Sequence, residues 1–442
     1  MNGKRRLKMK QLTRLFIPIC LETLFYMLSG MVDTLMLSAV GDYAVGAVGT
    51  ANSYIGIFII MFSIISSGMV SVMTQNIGAG RPGVAYQARQ LGLLFNAVAG
   101  VLMAVFLFSG AGAILRMVGI ADALYEPALI YLKIVGGGCI LNAVIPIFSS
   151  YLRAFGYTKQ PLYATIVGNI ANFVMNAVFL FVLHKGVAGV AAATVISKIL
   201  NLCIVLYFSH KLISAKNSTE RIANKTVLGQ IVKVGLPSAC ETALYNVAMM
   251  LVIRFLNQMD AEGLNVTARS YTATISNFSY CVGAALAQAN AIMTGWHIGA
   301  GELEECDRGT KRAAFVGVCV AVCMETAIVL GSGFIMPLFT DNPEMTALVR
   351  KLLAIDIVLE IGRVTNLVFG QALKTSGDAV FPAVIAAVFM FVFAVGGTWL
   401  FGISMGLMAV GAYIGLASDE CVRAVGMVWR WKTGKWKTKK LV

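Results

Sequence analysis

The chain has 442 residues, 58% of them hydrophobic and only 13% charged, about half the charged share of a soluble domain. Apolar runs long enough to cross a hydrocarbon core of about 30 Å recur along its length, which excludes a water-soluble core. The net charge of +14 does not mark a nucleic-acid binder, because its basic residues crowd the two ends and the middle of the chain.

Twelve membrane spans are predicted, at roughly 12–37, 44–75, 90–115, 125–151, 161–184, 187–209, 230–257, 268–296, 311–336, 345–373, 381–402 and 406–431. In span 1, Glu22, Tyr26, Ser29 and Asp33 follow spacings of four, three and four, which sets them on one helix face. The two carboxylates lie about 16 Å apart along that face. A charge at that depth costs several kcal/mol unless it meets a wet cavity or a partner, so each is either a functional acid or a satisfied structural one. Span 5 carries the asparagine stripe Asn169, Asn172 and Asn176, which either glues helices together or lines a cavity.

The longest polar stretch, about 209–233, follows six spans and holds the sequon Asn217-Ser218-Thr219. Span 7 repeats the first face as Glu241, Tyr245 and Ala248, but Val252 stands where Asp33 stood. Span 8 offers Asn277 and Gln288 as cavity residues. Span 10 places Asp356, Glu360 and Arg363 on one face, followed by Asn366, with Glu360 and Arg363 one turn apart and able to neutralise each other. Arg254 in span 7 needs a partner, and Asp356 is the candidate.

The halves also match each other at an offset of about 220 residues. Pro18-Ile19-Cys20-Leu21-Glu22-Thr23 is answered by Pro237-Ser238-Ala239-Cys240-Glu241-Thr242, and Ile77-Gly78-Ala79-Gly80 by Ile298-Gly299-Ala300-Gly301. Arg153-Ala154-Phe155-Gly156 with Pro161 is answered by Lys374-Thr375-Ser376-Gly377 with Pro382. Six spans per half is an even number, so the repeats are parallel. The expected architecture is an all-α integral membrane protein of two six-helix bundles around a central cleft. Its parts are an N-terminal bundle (1–208), a cytoplasmic linker (209–233), a C-terminal bundle (234–431) and a basic tail (432–442). Basic residues at the ends and in the middle (Lys4, Arg5, Arg6, Lys8; Lys216, Arg221; Lys435, Lys437) put both termini and the linker on the cytoplasmic side of a plasma or inner membrane. The basic start runs into a full-length span with no cleavage site, so no signal peptide is expected.

Nine cysteines without a CxxC pair and three scattered histidines suggest no disulfide framework and no metal cluster. No H-E-x-x-H motif or nucleophile–base pair is present, so an enzyme is not expected.

Taken in order, several stretches resemble the multidrug and toxic compound extrusion (MATE) family of cation-coupled antiporters. They are Val32-Asp33-Thr34, Ala47-Val48-Gly49, Gln75-Asn76-Ile77-Gly78-Ala79-Gly80, Leu152-Arg153-Ala154-Phe155-Gly156 with Pro161, and Gly168-Asn169-Ile170-Ala171-Asn172. Gly186-Val187-Ala188-Gly189 with Ala193-Thr194, Gly235-Leu236-Pro237, and Gly377-Asp378 with Pro382 complete the set. The resemblance implies export of amphipathic, often cationic, drugs or metabolites by alternating access in exchange for Na+ or H+. It implies a monomer that needs no cofactor beyond that ion and takes a small organic substrate, the bilayer and no nucleic acid as partners. It makes Asp33, with Asn172 and Asn176, the cation-coupling group and the one place for Na+. Asn176 departs from the second acid many members carry there. The family's seventh-span glutamate falls at Tyr245, with Glu241 one turn earlier carrying the role. Glu22, Tyr26, Asn169, Glu241, Tyr245, Asn277, Gln288, Asp356, Glu360 and Arg363 are the expected substrate or cavity residues. The alternative is a flippase for lipid-linked saccharides of related fold, disfavoured by how few basic residues lie inside the spans.

Overall fold

The computed structural model describes residues 2–117, 120–213, 220–260 and 263–442. The sequon Asn217-Ser218-Thr219, Lys216, and the side chains of Lys4, Arg5, Arg6 and Lys8 lie outside what it describes. Every regular element among the described residues is helical. The order is α1 (Asn2–Ser38), α2 (Asp42–Gly78), α3 (Pro82–Met117), α4 (Asp122–Gly137), α5 (Cys139–Ala154), α6 (Lys159–Ala177) and α7 (Gly186–Leu212). Then follow α8 (Asn224–Met259), α9 (Leu264–Gly299), α10 (Leu303–Ile335), α11 (Pro343–Thr375), α12 (Val380–Phe389) and α13 (Met408–Lys432). Wider π turns extend α6 over Val178–Val182 and α12 over Met390–Val395 and Thr398–Ser404.

A helix accounts for each of the twelve predicted spans, making this a multi-pass membrane fold. Eight helices are both long and apolar enough to cross a bilayer, and α4 with α5 makes a ninth, bent by 41°. Span 4 is therefore broken, at Gly138. The helices of spans 8, 10 and 12 (α9, α11, α13) are as long but more polar. Part of that polarity is buried, including Thr272, Ser276 and Ser279 of α9, Asp356 and Glu360 of α11, and Asp419, Glu420 and Arg423 of α13, which a hydropathy average cannot distinguish from exposure.

The chain divides into two compact units, Met1–Gly235 and Leu236–Val442. The first has its core where α2, α3, α4 and α7 meet, around Phe62, Leu107, Leu115, Leu132 and Val190. The second is built around Val252, Leu256, Val349, Leu352, Leu353 and Ala412. Large apolar side chains left on the outside, such as Leu102, Val105 and Phe106 of α3, are what lipid requires of a span.

The repeat motifs end helices in the same way. α2 stops at Gly78 and α9 at Gly299, and Gly80 and Gly301 both take φ +75°. Each cap closes with matching bonds, Gly80 N to Ile77 O and Arg81 N to Asn76 O in one copy, Gly301 N to Ile298 O and Glu302 N to His297 O in the other. A residue with a Cβ resists that left-handed geometry, which explains glycine in both copies.

Two expected boundaries shift. The stretch taken as a linker is partly helix, since α7 runs to Leu212 and α8 begins at Asn224. Gln87 of α3 clasps its described remainder, donating to Ile222 O (2.7 Å) and accepting from Ile222 N (3.2 Å). The first turns of α8 belong to the first unit, because a Cβ at Gly235 would lie 1.8 Å from Ile64 O of α2. The basic tail also packs. Trp436 stacks on Trp431 with ring centres 4.2 Å apart, its Nε1 donates to Trp431 O, and both rings are buried.

Candidate functional site

In the first unit the α1–α6 contact builds the site around Asp33. Asn176 Nδ2 donates to Asp33 Oδ1 (2.8 Å) and to Asn172 Oδ1 (3.1 Å). Asn172 and Asn176 are buried and Asp33 is half-buried. The three residues that the family resemblance grouped therefore meet. The third member of the stripe does not join them: Asn169 Nδ2 bonds Phe25 O of α1 at 2.9 Å, which is helix glue.

Sequence reasoning missed two groups here. Lys198 of α7 donates to Asn142 Oδ1 at 2.8 Å and its ammonium interacts electrostatically with Asp33. Tyr131 of α4 also reaches this site, beside Asn52, Asp33 and Thr194. An ammonium inside the apolar run 187–209 was the available signal for Lys198.

Glu22 is separate from this group. It forms a 2.6 Å ion pair with Arg153 of α5. Its counterpart Glu241 pairs with Lys374 of α11 at 2.8 Å. Both acids thus meet a base from the Arg153/Lys374 repeat, as a satisfied structural acid would. The count of intramembrane bases in the sequence missed Arg153 and Lys374. Tyr26 is 70% exposed.

The second unit encloses a cavity of about 470 Å³. Glu241, Tyr245, Asn277, Asp356 and Arg363 line it, while Gln288 is exposed and outside it and Glu360 lies behind its wall. Four carboxylates (Glu241, Asp356, Asp419, Glu420) face four bases (Arg269, Arg363, Lys374, Arg423) among the lining residues, with Tyr280, Tyr413, Met249 and Leu359 as apolar walls. Arg363 pairs with Glu360 and approaches Glu420 at 3.8 Å. Arg423 grips Asp419 (2.7 Å) and Glu420 (2.8 Å), and Asn366 donates to Glu420 Oε2. The Glu360–Arg363 neutralisation expected from one-turn spacing is present. Arg254 is exposed and does not partner Asp356, which instead gathers with Glu325 and Glu360. Asp419, Glu420, Arg423 and Glu325 were not singled out from the sequence, although Glu325 is the lone acid of an apolar run.

The MatE family model matches the chain twice, over residues 18–178 and again over 237–400. The uncharacterized transporter YisQ of Bacillus subtilis (strain 168) is 32% identical over 425 residues, covering 95% of this chain and 93% of its own. A probable multidrug resistance protein NorM of Thermotoga maritima is 21% identical and covers 97% of this chain and 93% of its own. Among solved structures, the outward-facing conformation of a multidrug resistance MATE family transporter of the MOP superfamily matches with a TM-score of 0.83. That match covers 97% of this chain and 96% of the other at 20% identity, a likeness of fold alone.

Proposed function

Because the family model covers most of the chain in two copies, the chain belongs to the MATE family of membrane transporters, and we propose that it exports amphipathic organic compounds in exchange for protons, with Asp33 as the coupling carboxylate. The observation that carries this reading is the hydrogen bond from Asn176 of α6 to the Asp33 carboxylate of α1. An ion drives transport only by favouring one conformation over another. Asp33 joins α1 to α6 through Asn176, so a change in its charge acts directly on that helix contact. Asn176 turns a donor rather than an oxygen toward Asp33, which suits a carboxylate that takes up a proton better than a set of oxygens around Na+.

The second-unit cavity supports the substrate class. Its tyrosines, Met249 and Leu359 suit an apolar body, and its charged rim suits a polar or cationic group. Matched carboxylates and bases leave no excess positive charge for a pyrophosphate head group, which weighs against the flippase alternative. The balance also favours zwitterions over a purely acidic cavity's preference for cations. The basic ends place both termini on the cytoplasmic side of the cell membrane, and the transporter works as a monomer.

Proteoliposomes tested separately under imposed H+ and Na+ gradients decide the coupling. Efflux of a zwitterionic or cationic dye is expected with a proton gradient alone. Efflux that needs Na+ and ignores the proton gradient would overturn the proton reading.

A further inference from the structure

Beside the second-unit cavity three carboxylates meet, Asp356 from its lining and Glu325 and Glu360 from outside it. Glu325 comes from α10, and Asp356 and Glu360 stand one turn apart on α11. One oxygen from each lies within 4.8 Å of the others. All three residues are buried, at 0%, 2% and 0% exposure. Arg363 pairs with Glu360 through Oε1, yet both oxygens of Glu325, Asp356 Oδ2 and Glu360 Oε2 accept no hydrogen bond. A second observation does not depend on the acids. Ser276 and Ser279 of α9, 4% and 1% exposed, place their hydroxyls beside Asp356 and Glu325 and make no hydrogen bond of ordinary geometry.

We propose that Glu325, Asp356 and Glu360 bind a hard divalent cation of Ca2+ size, with Ser276 and Ser279 supplying further oxygens. Charge is consistent with a divalent ion: Arg363 compensates one of the three carboxylates, and binding the ion would release the protons held by the other two. Buried carboxylates left uncompensated are strongly unfavourable. Ligand chemistry points the same way, because every donor is an oxygen, the set that hard cations take. Their spacing allows such an ion, since ligand oxygens about 2.4 Å from a Ca2+ lie no more than about 4.8 Å apart, and these three fall within that limit. Asp356 and Ser276 also line the cavity, which gives the ion a way in. Bound there, it would tie α9, α10 and α11 together. The proposal is independent of Asp33 and of proton exchange.

The full-length chain, purified in detergent and stripped with EDTA, is titrated with CaCl2 and separately with NaCl balanced by choline chloride. Calorimetry and the thermal unfolding midpoint are the readouts. One saturable Ca2+ site per chain is expected, with a higher midpoint and no saturable Na+ response. E325Q should weaken Ca2+ binding at least tenfold, and S279A, which keeps every charge, should weaken it several-fold even if E325Q fails to fold. D33N should bind Ca2+ as the parent does, so this proposal and the coupling reading fail separately. Absence of saturable Ca2+ binding, saturation by Na+ alone, or unchanged affinity in S279A with a folded E325Q would overturn it.

Discussion

The two units descend from one pattern and have diverged in the sign of their buried charge. Each keeps an acid–base pair between its first span and its fourth, Glu22 with Arg153 and Glu241 with Lys374, and each ends its second span at the same Ile-Gly-Ala-Gly stop. Elsewhere corresponding places hold opposite groups. At the common offset of about 220 residues, Lys198 and Asn142 of the first unit fall at Asp419 and Arg363, which both line the cavity of the second. Asp33 has Val252 as its counterpart, fully buried in an apolar core. The constant parts hold helices together, and the exchanged parts are where the units took on different chemistry.

The largest expected effect comes from removing the group that only the first unit has. D33N should abolish proton-driven efflux in proteoliposomes, a loss of more than tenfold, while the purified protein stays folded. The amide keeps the shape but cannot take up or release a proton, so one conformation is favoured throughout. Efflux at the parent rate would remove Asp33 from coupling and leave the asymmetry between units without a transport role.

The shared pairs test the constant part. R153M leaves the Glu22 carboxylate, 13% exposed, without its base, and breaking such a buried pair costs about 3–5 kcal/mol. Adding E22Q to R153M should restore much of that in thermal unfolding. K374M should cost less, because Glu241 lines a cavity that admits water and faces Arg423 as well. Equal losses in the two units would mean that the cavity does not soften the charge.

Much of this was legible in the sequence, for physical reasons. Span length is set by the bilayer, so the helices and their duplication could be read from apolar runs. Helix periodicity put the asparagines on one face of span 5, but their grouping with Asp33 came from the family resemblance, and in the structure Asn176 bridges the other two. The Glu22–Arg153 pair was not, because its partners lie 131 residues apart on different helices. Both motifs were visible in duplicate, but nothing local says that one meets the other. The bend at Gly138 and the inward turn of Glu325, Asp419 and Arg423 depend on which face a neighbouring helix covers. The buried Trp436 contradicts its basic surroundings, since a run of lysines reads as a solvated tail.

Gly377 and Gly156 follow the corresponding Lys374 and Arg153 motifs, with φ of +97° and +86°. G156A and G377A should each lose about 1 kcal/mol or more from the left-handed backbone alone. G377A should lose more, because its Cβ would lie 2.3 Å from Lys439 O and would push the tail off the second unit. Tryptophan fluorescence should report exposure of Trp436 in G377A, with no equivalent change in G156A.

The smallest effect is expected at Asn169, and it separates glue from chemistry within one stripe. Asn169 and Asn176 sit on the same helix two turns apart and both face α1, but Asn169 bonds a backbone carbonyl and Asn176 bonds Asp33. Single interhelical hydrogen bonds in membranes average about 0.6 kcal/mol. N169A should therefore lower thermal stability by about that amount and leave the dependence of efflux on the proton gradient untouched. N176A removes the side chain that donates to Asp33 and should shift that dependence even where its stability loss is similar. A changed gradient dependence in N169A would extend the coupling site along the stripe toward Phe25, and the division between the constant and the diverged parts of the first unit would have to move with it.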